Sequence, residues 1–178
     1  MRLVTYGAAC TLDGFIAGED GNVDWLHFSK DVHAIMSAYW KTIDTILMGR
    51  KTWSHAVAQG GGGGGGGGSN KIKTYVFSRT VKEIPGTGVQ LVSGDPGKFV
   101  LNLKQQKGKG ICLMGGGELA RTLFQAGAID EVRLNIHPLL LGSGVPLFPQ
   151  IGRQVSLELL ESRTLDGGCV LANYRVRH

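Results

Sequence analysis

Three short stretches of this chain combine residues that suit an anion. Gly115-Gly116-Gly117 follows the apolar run Ile111-Cys112-Leu113-Met114 and precedes Leu119, Ala120, Leu123 and Phe124, which are spaced as one face of a helix. That is a buried strand turning into a helix with no side chain at the corner. The first N–H groups of a helix have no partner within it and can meet a phosphate. The triplet equally suits a tight turn that needs glycine only for its backbone angles. Glu118 puts a carboxylate in the same first turn, where it can serve the helix dipole. A second corner, Gly49-Arg50-Lys51-Thr52, follows Ile46-Leu47-Met48 and sets two cations and a hydroxyl at a helix start. A third, Ser78-Arg79-Thr80, ends the strand-like Tyr75-Val76-Phe77. Any one of them alone reads as surface decoration. In open α/β sheets, however, ligands gather beyond the carboxyl ends of strands, so three such corners suit one extended ligand with several phosphates, as in a dinucleotide.

Other chemistries find less support. A phosphate loop needs Gly-Lys-Ser or Gly-Lys-Thr, and here Glu118 and Leu119 follow the last glycine. The Rossmann fingerprint belongs to the first βα unit, whereas this triplet comes at a late strand. His27, His33, His55, His137 and His178 show no metal-ligand spacing, so no metal is expected. No nucleophile elbow is recognisable. Cys10, Cys112 and Cys169 are an odd number inside apolar segments and read as buried small hydrophobes in a reducing compartment. With no cleavage pattern after Met1–Cys10 and no apolar run near the roughly 20 residues of a membrane span, the chain is expected in the cytoplasm. The net charge of +5 suits a small polyanion. Its densest cluster, Lys98, Lys104, Lys107 and Lys109, reads as a solvated helix face and not as a nucleic-acid surface.

The elements that must position the corners alternate between strand and helix. Leu3–Cys10 is a small-residue strand. Ser29 caps a helix through Trp40, with Val32, Ile35, Met36, Tyr39 and Trp40 as its inner face. Ile43–Met48 is a buried strand, Arg50–Val57 a short helix and Lys71–Ser78 a strand. Asp95 and Pro96 open a helix that Gly108 ends. Val132–His137, Val155–Glu161 and Val170–Val176 then alternate as strands, with Asp166-Gly167-Gly168 as a hairpin turn. Parallel βαβ units followed by an antiparallel pair predict a three-layer α/β fold. The nine glycines of 60–68 read as a flexible loop within one domain spanning 1–178, because the strand style continues on either side.

Taken as a set, several motifs resemble the dihydrofolate reductase superfamily. They are Thr11-Leu12-Asp13-Gly14-Phe15-Ile16-Ala17-Gly18, Asp24-Trp25-Leu26, Leu47-Met48-Gly49-Arg50-Lys51-Thr52-Trp53 and the glycine triplet. Ala128-Ile129-Asp130-Glu131-Val132 and the segment His137–Phe148 are similar to its branch typified by the C-terminal reductase domain of the bifunctional riboflavin-biosynthesis protein. The resemblance implies a dihydrofolate reductase-like fold, a mostly parallel sheet with antiparallel C-terminal edge strands. It implies NADPH as cofactor and hydride transfer to a small pyrimidine- or pterin-like substrate, with a homodimer as the assembly. By position, Ala9 and Ile16 would border the nicotinamide, and Gly49, Arg50, Lys51 and Thr52 would meet the adenosine-side phosphates. Ser78 and Arg79 would lie at the 2′-phosphate, and Gly115, Gly116, Gly117 and Leu119 under the pyrophosphate. The family's acid in the first helix maps onto Asp31 with one inserted residue, and Asp24 is a second candidate. Asp31 also suits a structural role in the helix's first turn. The glycine run departs from the family pattern and supplies no side chain to a substrate tail, which leaves a non-catalytic NADP(H)-binding or scaffold protein as the alternative.

Overall fold

The computed structural model describes residues 1–58, 72–84 and 88–178, so the glycine run lies outside the described residues. In chain order the elements are β1 (Val4–Thr11), β2 (Phe15–Ala17), α1 (Lys30–Trp40), β3 (Ile43–Gly49), α2 (Arg50–Ala58), β4 (Lys73–Phe77) and β5 (Val89–Val92). They continue with α3 (Pro96–Lys104), β6 (Gly110–Met114), α4 (Gly117–Gln125), β7 (Glu131–His137), β8 (Val145–Pro146), β9 (Ser156–Thr164) and β10 (Val170–Arg177). Among the described residues, no helix is long and apolar enough to cross a membrane.

The main sheet has eight strands in the order β5-β4-β3-β6-β1-β7-β10-β9. The first six are mutually parallel, and β10 runs antiparallel to both β7 and β9. One face packs Tyr6, Leu47, Leu113 and Val132 against Val100, Leu103, Ala120 and Leu123 of α3 and α4. On the other, Ile46, Met48, Val76 and Cys112 pack with Trp53 of α2 and with Tyr39 and Trp40 of α1. Both faces are covered, as a parallel sheet requires. Two expected caps form: Ser29 Oγ accepts from the Val32 amide, and Asp95 Oδ1 from that of Lys98.

Three short strands escape the sequence reading. β5 is an edge strand of four residues, and β2 pairs with β8 in a separate two-stranded ribbon. Runs this short carry too few residues for an alternation to register. The Asp166-Gly167-Gly168 turn joins β9 to β10 as expected, with Gly167 and Gly168 at φ of +79° and +76°. The helix expected to run to Gly108 stops at Lys104, where the amides of Gln105 and Gln106 bond the Asn102 and Leu103 carbonyls.

Lys104 corrects the picture of a solvated basic face, since it is only 4% exposed. Its ammonium donates to Asp130 Oδ1 at 2.7 Å and to the Ala128 carbonyl at 3.2 Å. Asp130 Oδ2 in turn accepts the Val4 amide at 2.8 Å, tying α3 to the starts of β1 and β7. Lys104→Met is therefore expected to lower unfolding free energy by roughly 2–3 kcal/mol, somewhat less than for a fully buried pair because Asp130 keeps some water. Urea denaturation reads this directly; a loss below about 0.5 kcal/mol, as for an exposed pair, overturns it.

Candidate functional site

The strand order brings the three corners together. β6, β3 and β4 are consecutive neighbours, so the triplet, Gly49–Thr52 and Ser78–Arg79 emerge side by side at one end of the sheet. With strands about 4.8 Å apart, the three exits span about 10 Å. The chain runs β1 to β3 to β4 to β5 in one direction and then inserts β6 between β3 and β1. Such a reversal in strand order is where open α/β sheets leave a crevice.

The corner itself is bare backbone. Gly115 and Gly116 have φ of +62° and +84°, which side-chain-bearing residues rarely adopt. A Cβ on Gly115 would lie 3.3 Å from Thr52 Cγ2, and one on Gly116 would lie 3.5 Å from both Thr52 Oγ1 and the Gly49 amide nitrogen. Gly49, Thr52, Gly115 and Gly116 thus form one patch beneath the start of α4. Gly117 opens α4, and Leu119 is buried in its core-facing side. Glu118 does not point a charge at the patch, because its carboxylate pairs with Arg121 one turn along. Arg50, Lys51 and Arg79 are exposed, and none forms an ion pair among the described residues. Ser78 Oγ accepts from the Thr80 and Val81 amides, which holds the Arg79 turn against the end of β4.

Beside this edge lies a cavity of about 230 Å³ between α1 and the sheet. Val32, Ile35, Met36, Tyr39 and Trp40 of α1 line it, while Tyr39 and Trp40 also pack on the cluster around Ile46 and Val32 on Leu171 of β10. Gly7, Ala8 and Ala9 of β1 form its floor with Cys112 and Met114 of β6, and Leu26 and Phe28 close one side. Met114 immediately precedes Gly115, so cavity wall and bare corner are continuous along the chain. Ile16 on β2 is half-buried against the main core. The polar part of the wall is Arg133, Asn135 and His137, all from β7. Asn135 Nδ2 meets His137 Nε2 at 3.3 Å, and His137 Nδ1 meets Cys169 Sγ at 3.4 Å. Burial, with a smaller effect of His27, holds the His137 imidazole below its ordinary pKa. Cys10 and Cys112 are pushed up to about 11 by burial, so both stay as neutral thiols, in keeping with their apolar surroundings.

Neither candidate acid lies on the cavity wall. Asp31 pairs with the Ser29 hydroxyl and accepts the amides of Val32 and Asp166 at 3.1 and 3.0 Å. Those bonds, led by Ser29, hold its carboxyl below the usual range. Asp24 is exposed and bonded to Asn22. A lowered carboxyl pKa contributes stability above the unfolded-state value and loses it as pH falls through the folded value. Asp31→Ala should therefore lower Tm at pH 7, and the gap from the parent should close as pH falls below 3.8. Scanning fluorimetry across pH measures it; a gap that persists in acid contradicts the assignment.

The sequence profile of the RibD C-terminal domain matches residues 2–171. The chain belongs to the RibD C-terminal domain family. YyaP, an uncharacterized protein of Bacillus subtilis strain 168, is 36% identical over 180 residues, covering 97% of this chain and 94% of that protein. A candidate riboflavin biosynthesis protein from Shewanella sp. PV-4 has a similar structure, with TM-score 0.81 and 25% identity over 99% of this chain and 100% of that one. Dihydrofolate reductase from Enterococcus faecalis, complexed with NADP(H), shares the fold at TM-score 0.69 and 20% identity, over 99% and 97% of the two chains. The fold is dihydrofolate reductase-like.

In this RibD C-terminal domain, the sequence singles out neither Arg133 nor Asn135 and shows His137 only as a histidine without metal-ligand spacing. The alternation Val132, Leu134, Ile136 marks the core face of β7 and leaves the polar set looking solvated. A usable signal is present nonetheless. A strand inside a helix-covered sheet buries both faces, so polar residues on its second face need a purpose.

Proposed function

We propose that this RibD C-terminal domain protein is an NADPH-dependent reductase that delivers hydride to a small pyrimidine- or pterin-like heterocycle. The observation that carries the reading is the convergence of three strand exits on a glycine-lined patch with the exposed Arg50, Lys51 and Arg79 at the same exits. The residues fit the cofactor: a Cβ at Gly115 or Gly116 would crowd Thr52 and Gly49, so the corner stays bare backbone of the kind that meets a phosphate at a helix start. Gly115, Gly116, Gly117 and Leu119 would underlie the pyrophosphate, and Gly49, Arg50, Lys51 and Thr52 would hold the adenosine-side phosphates. Ser78 and Arg79 would receive the 2′-phosphate, with Ala9 and Ile16 beside the nicotinamide. When bound, NADPH supplies the hydride. The chain's part is to orient it toward the apolar cavity and keep water away from the transfer.

Asp31 serves as the acid in this reading only if its carboxylate leaves Ser29 and Asp166, and Asp24 only if its loop turns inward. That engagement of Asp31 favours a second reading, a non-catalytic NADP(H)-binding protein of the same fold. A homodimer would have the exposed Leu157, Leu159 and Leu160 of edge strand β9 to bury. Isothermal titration is expected to show NADPH binding more tightly than NADH, and no binding of either at millimolar concentration overturns both readings. Loss of NADPH absorbance with dihydrofolate or with the aminouracil ribose phosphate separates reductase from scaffold.

A further inference from the structure

The cavity between α1 and the sheet presents carbon to its interior almost throughout. Its few polar residues keep their polar atoms behind the wall. Arg133 lies over the Tyr39 ring, 4.9 Å from the centroid, and both its Nε and Asn135 Oδ1 are buried. The side chains of Asn135 and His137 meet at 3.3 Å, and those of His137 and Cys169 at 3.4 Å. What faces inward is Ala8 and Ala9 of β1, Met114 of β6, and Met36, Tyr39 and Trp40 of α1. Phe28 and Met36 are 49% and 36% exposed and mark the mouth.

A ring that passes this mouth exchanges water for carbon. Amide or amino groups on it would go unpaired, which costs free energy. A polar heterocycle therefore keeps its hydrogen-bonding edge at the mouth, and only an apolar ring enters in full. At about 230 Å³ the cavity lies below the roughly 300–1,000 Å³ usual for drug-sized ligands, which limits it to a compact flat molecule. The Tyr39 and Trp40 rings, with centroids 6.0 Å apart, offer an electron-rich surface to an electron-poor one. Among the described residues, no carboxylate lines the cavity. A C=N group or an isolated carbonyl needs a proton as hydride arrives. A quinone does not, because reduction makes its ring aromatic and spreads the negative charge over it. Arg133, the one Lys or Arg among the lining residues, holds its cation beside Tyr39, where it favours that charge through space.

We infer a further activity at this cavity, the NADPH-dependent reduction of a compact, neutral, apolar quinone. Met114 on the wall directly precedes Gly115, so the cavity adjoins the corner proposed for the coenzyme. The quinone takes the hydride, with its electron pair, at one carbonyl oxygen. An O–H bond forms there as the C–H bond of the nicotinamide breaks, and NADPH is oxidised to NADP+. The other oxygen becomes a phenolate, which takes its proton from water as the hydroquinone leaves. No acid on the wall is called for. The inference rests on the coenzyme site proposed above and not on the heterocycle as substrate.

Duroquinone, a fully methylated benzoquinone with no free ring position for the Cys112 thiol on the wall to attack, is the probe. Titrated into the full chain without coenzyme, it should quench tryptophan fluorescence saturably, because Trp40 lines the cavity. With NADPH and without oxygen, quinone and coenzyme should be consumed in equal amounts. Met36→Glu sets a charge at the mouth and should weaken duroquinone binding at least about tenfold, with the NADPH Kd within about twofold of the parent's. Leu101→Glu, at an exposed position of α3 on the opposite face of the sheet, should match the parent in both. Circular dichroism establishes that each variant is folded. No saturable quenching, equal duroquinone affinity in Met36→Glu and the parent, or quinone binding without loss of NADPH in a protein that binds NADPH overturns the inference alone. Failure to bind NADPH overturns it together with the reductase reading. Turnover of duroquinone but not of dihydrofolate or the aminouracil ribose phosphate would uphold it and remove the heterocycle.

Discussion

Replacing Arg50 and Arg79 together with alanine is expected to weaken NADPH binding about a hundredfold and to bring it level with NADH. The two guanidiniums sit at the exits of neighbouring strands β3 and β4, where Gly49 pairs with Phe77 in register. Both are exposed, so the lower end of the range for a charge-assisted hydrogen bond applies, about 1.5 kcal/mol each. Together that is about 3 kcal/mol, which corresponds to about two decades in Kd. NADH lacks the 2′-phosphate and should lose only the Arg50 contribution at the adenosine-side phosphates, about 1.5 kcal/mol, so the preference closes. Added salt should narrow the parent's preference as well, because exposed charges are screened. Titration of both coenzymes against parent and double variant decides the matter. An unchanged NADPH-to-NADH ratio removes Arg79 from the 2′-phosphate.

Gly116→Val should abolish coenzyme binding at a modest cost in stability. The left-handed backbone at this position costs an L-residue roughly 1–2 kcal/mol. The new side chain would also begin 3.5 Å from the Gly49 amide nitrogen and Thr52 Oγ1, covering the patch proposed for the pyrophosphate. Gly152→Val is the matched control. Gly152 has φ of +80°, and its Cβ would approach Gln125, the last residue of α4, at the far end of that helix from Gly117. The nine residues of α4 put about 13 Å between the two ends. Both variants should therefore lose comparable stability in urea while only Gly116→Val loses NADPH binding. If both retain NADPH, the amides at this corner do not hold the pyrophosphate.

Local signals carried much of this molecule into view. Apolar spacing from Val32 to Trp40 with Ser29 ahead of it specifies α1 and its cap, because helix period and orphan amides are properties of neighbouring residues. Glycine, arginine and hydroxyl residues at three strand ends mark the corners for the same reason. The late alternating strands foretell the antiparallel finish of the sheet. Sequence alone thus determined the class of fold and the residue types at the anion edge. Only the tertiary structure decided which corners are neighbours, since nothing local to Met48 or Met114 says that β6 inserts beside β3. Contacts distant in sequence also decided the fates of single residues. Lys104 looks solvated until Asp130 closes over it, and Asp31 looks available until the Asp166 amide, 135 residues onward, takes its carboxylate. Arg133 and Asn135 look like an ordinary outer face until α1 covers β7 and leaves them facing a cavity. A pattern of period two or 3.6 records which side of an element is apolar; what stands opposite that side is set by the assembled chain.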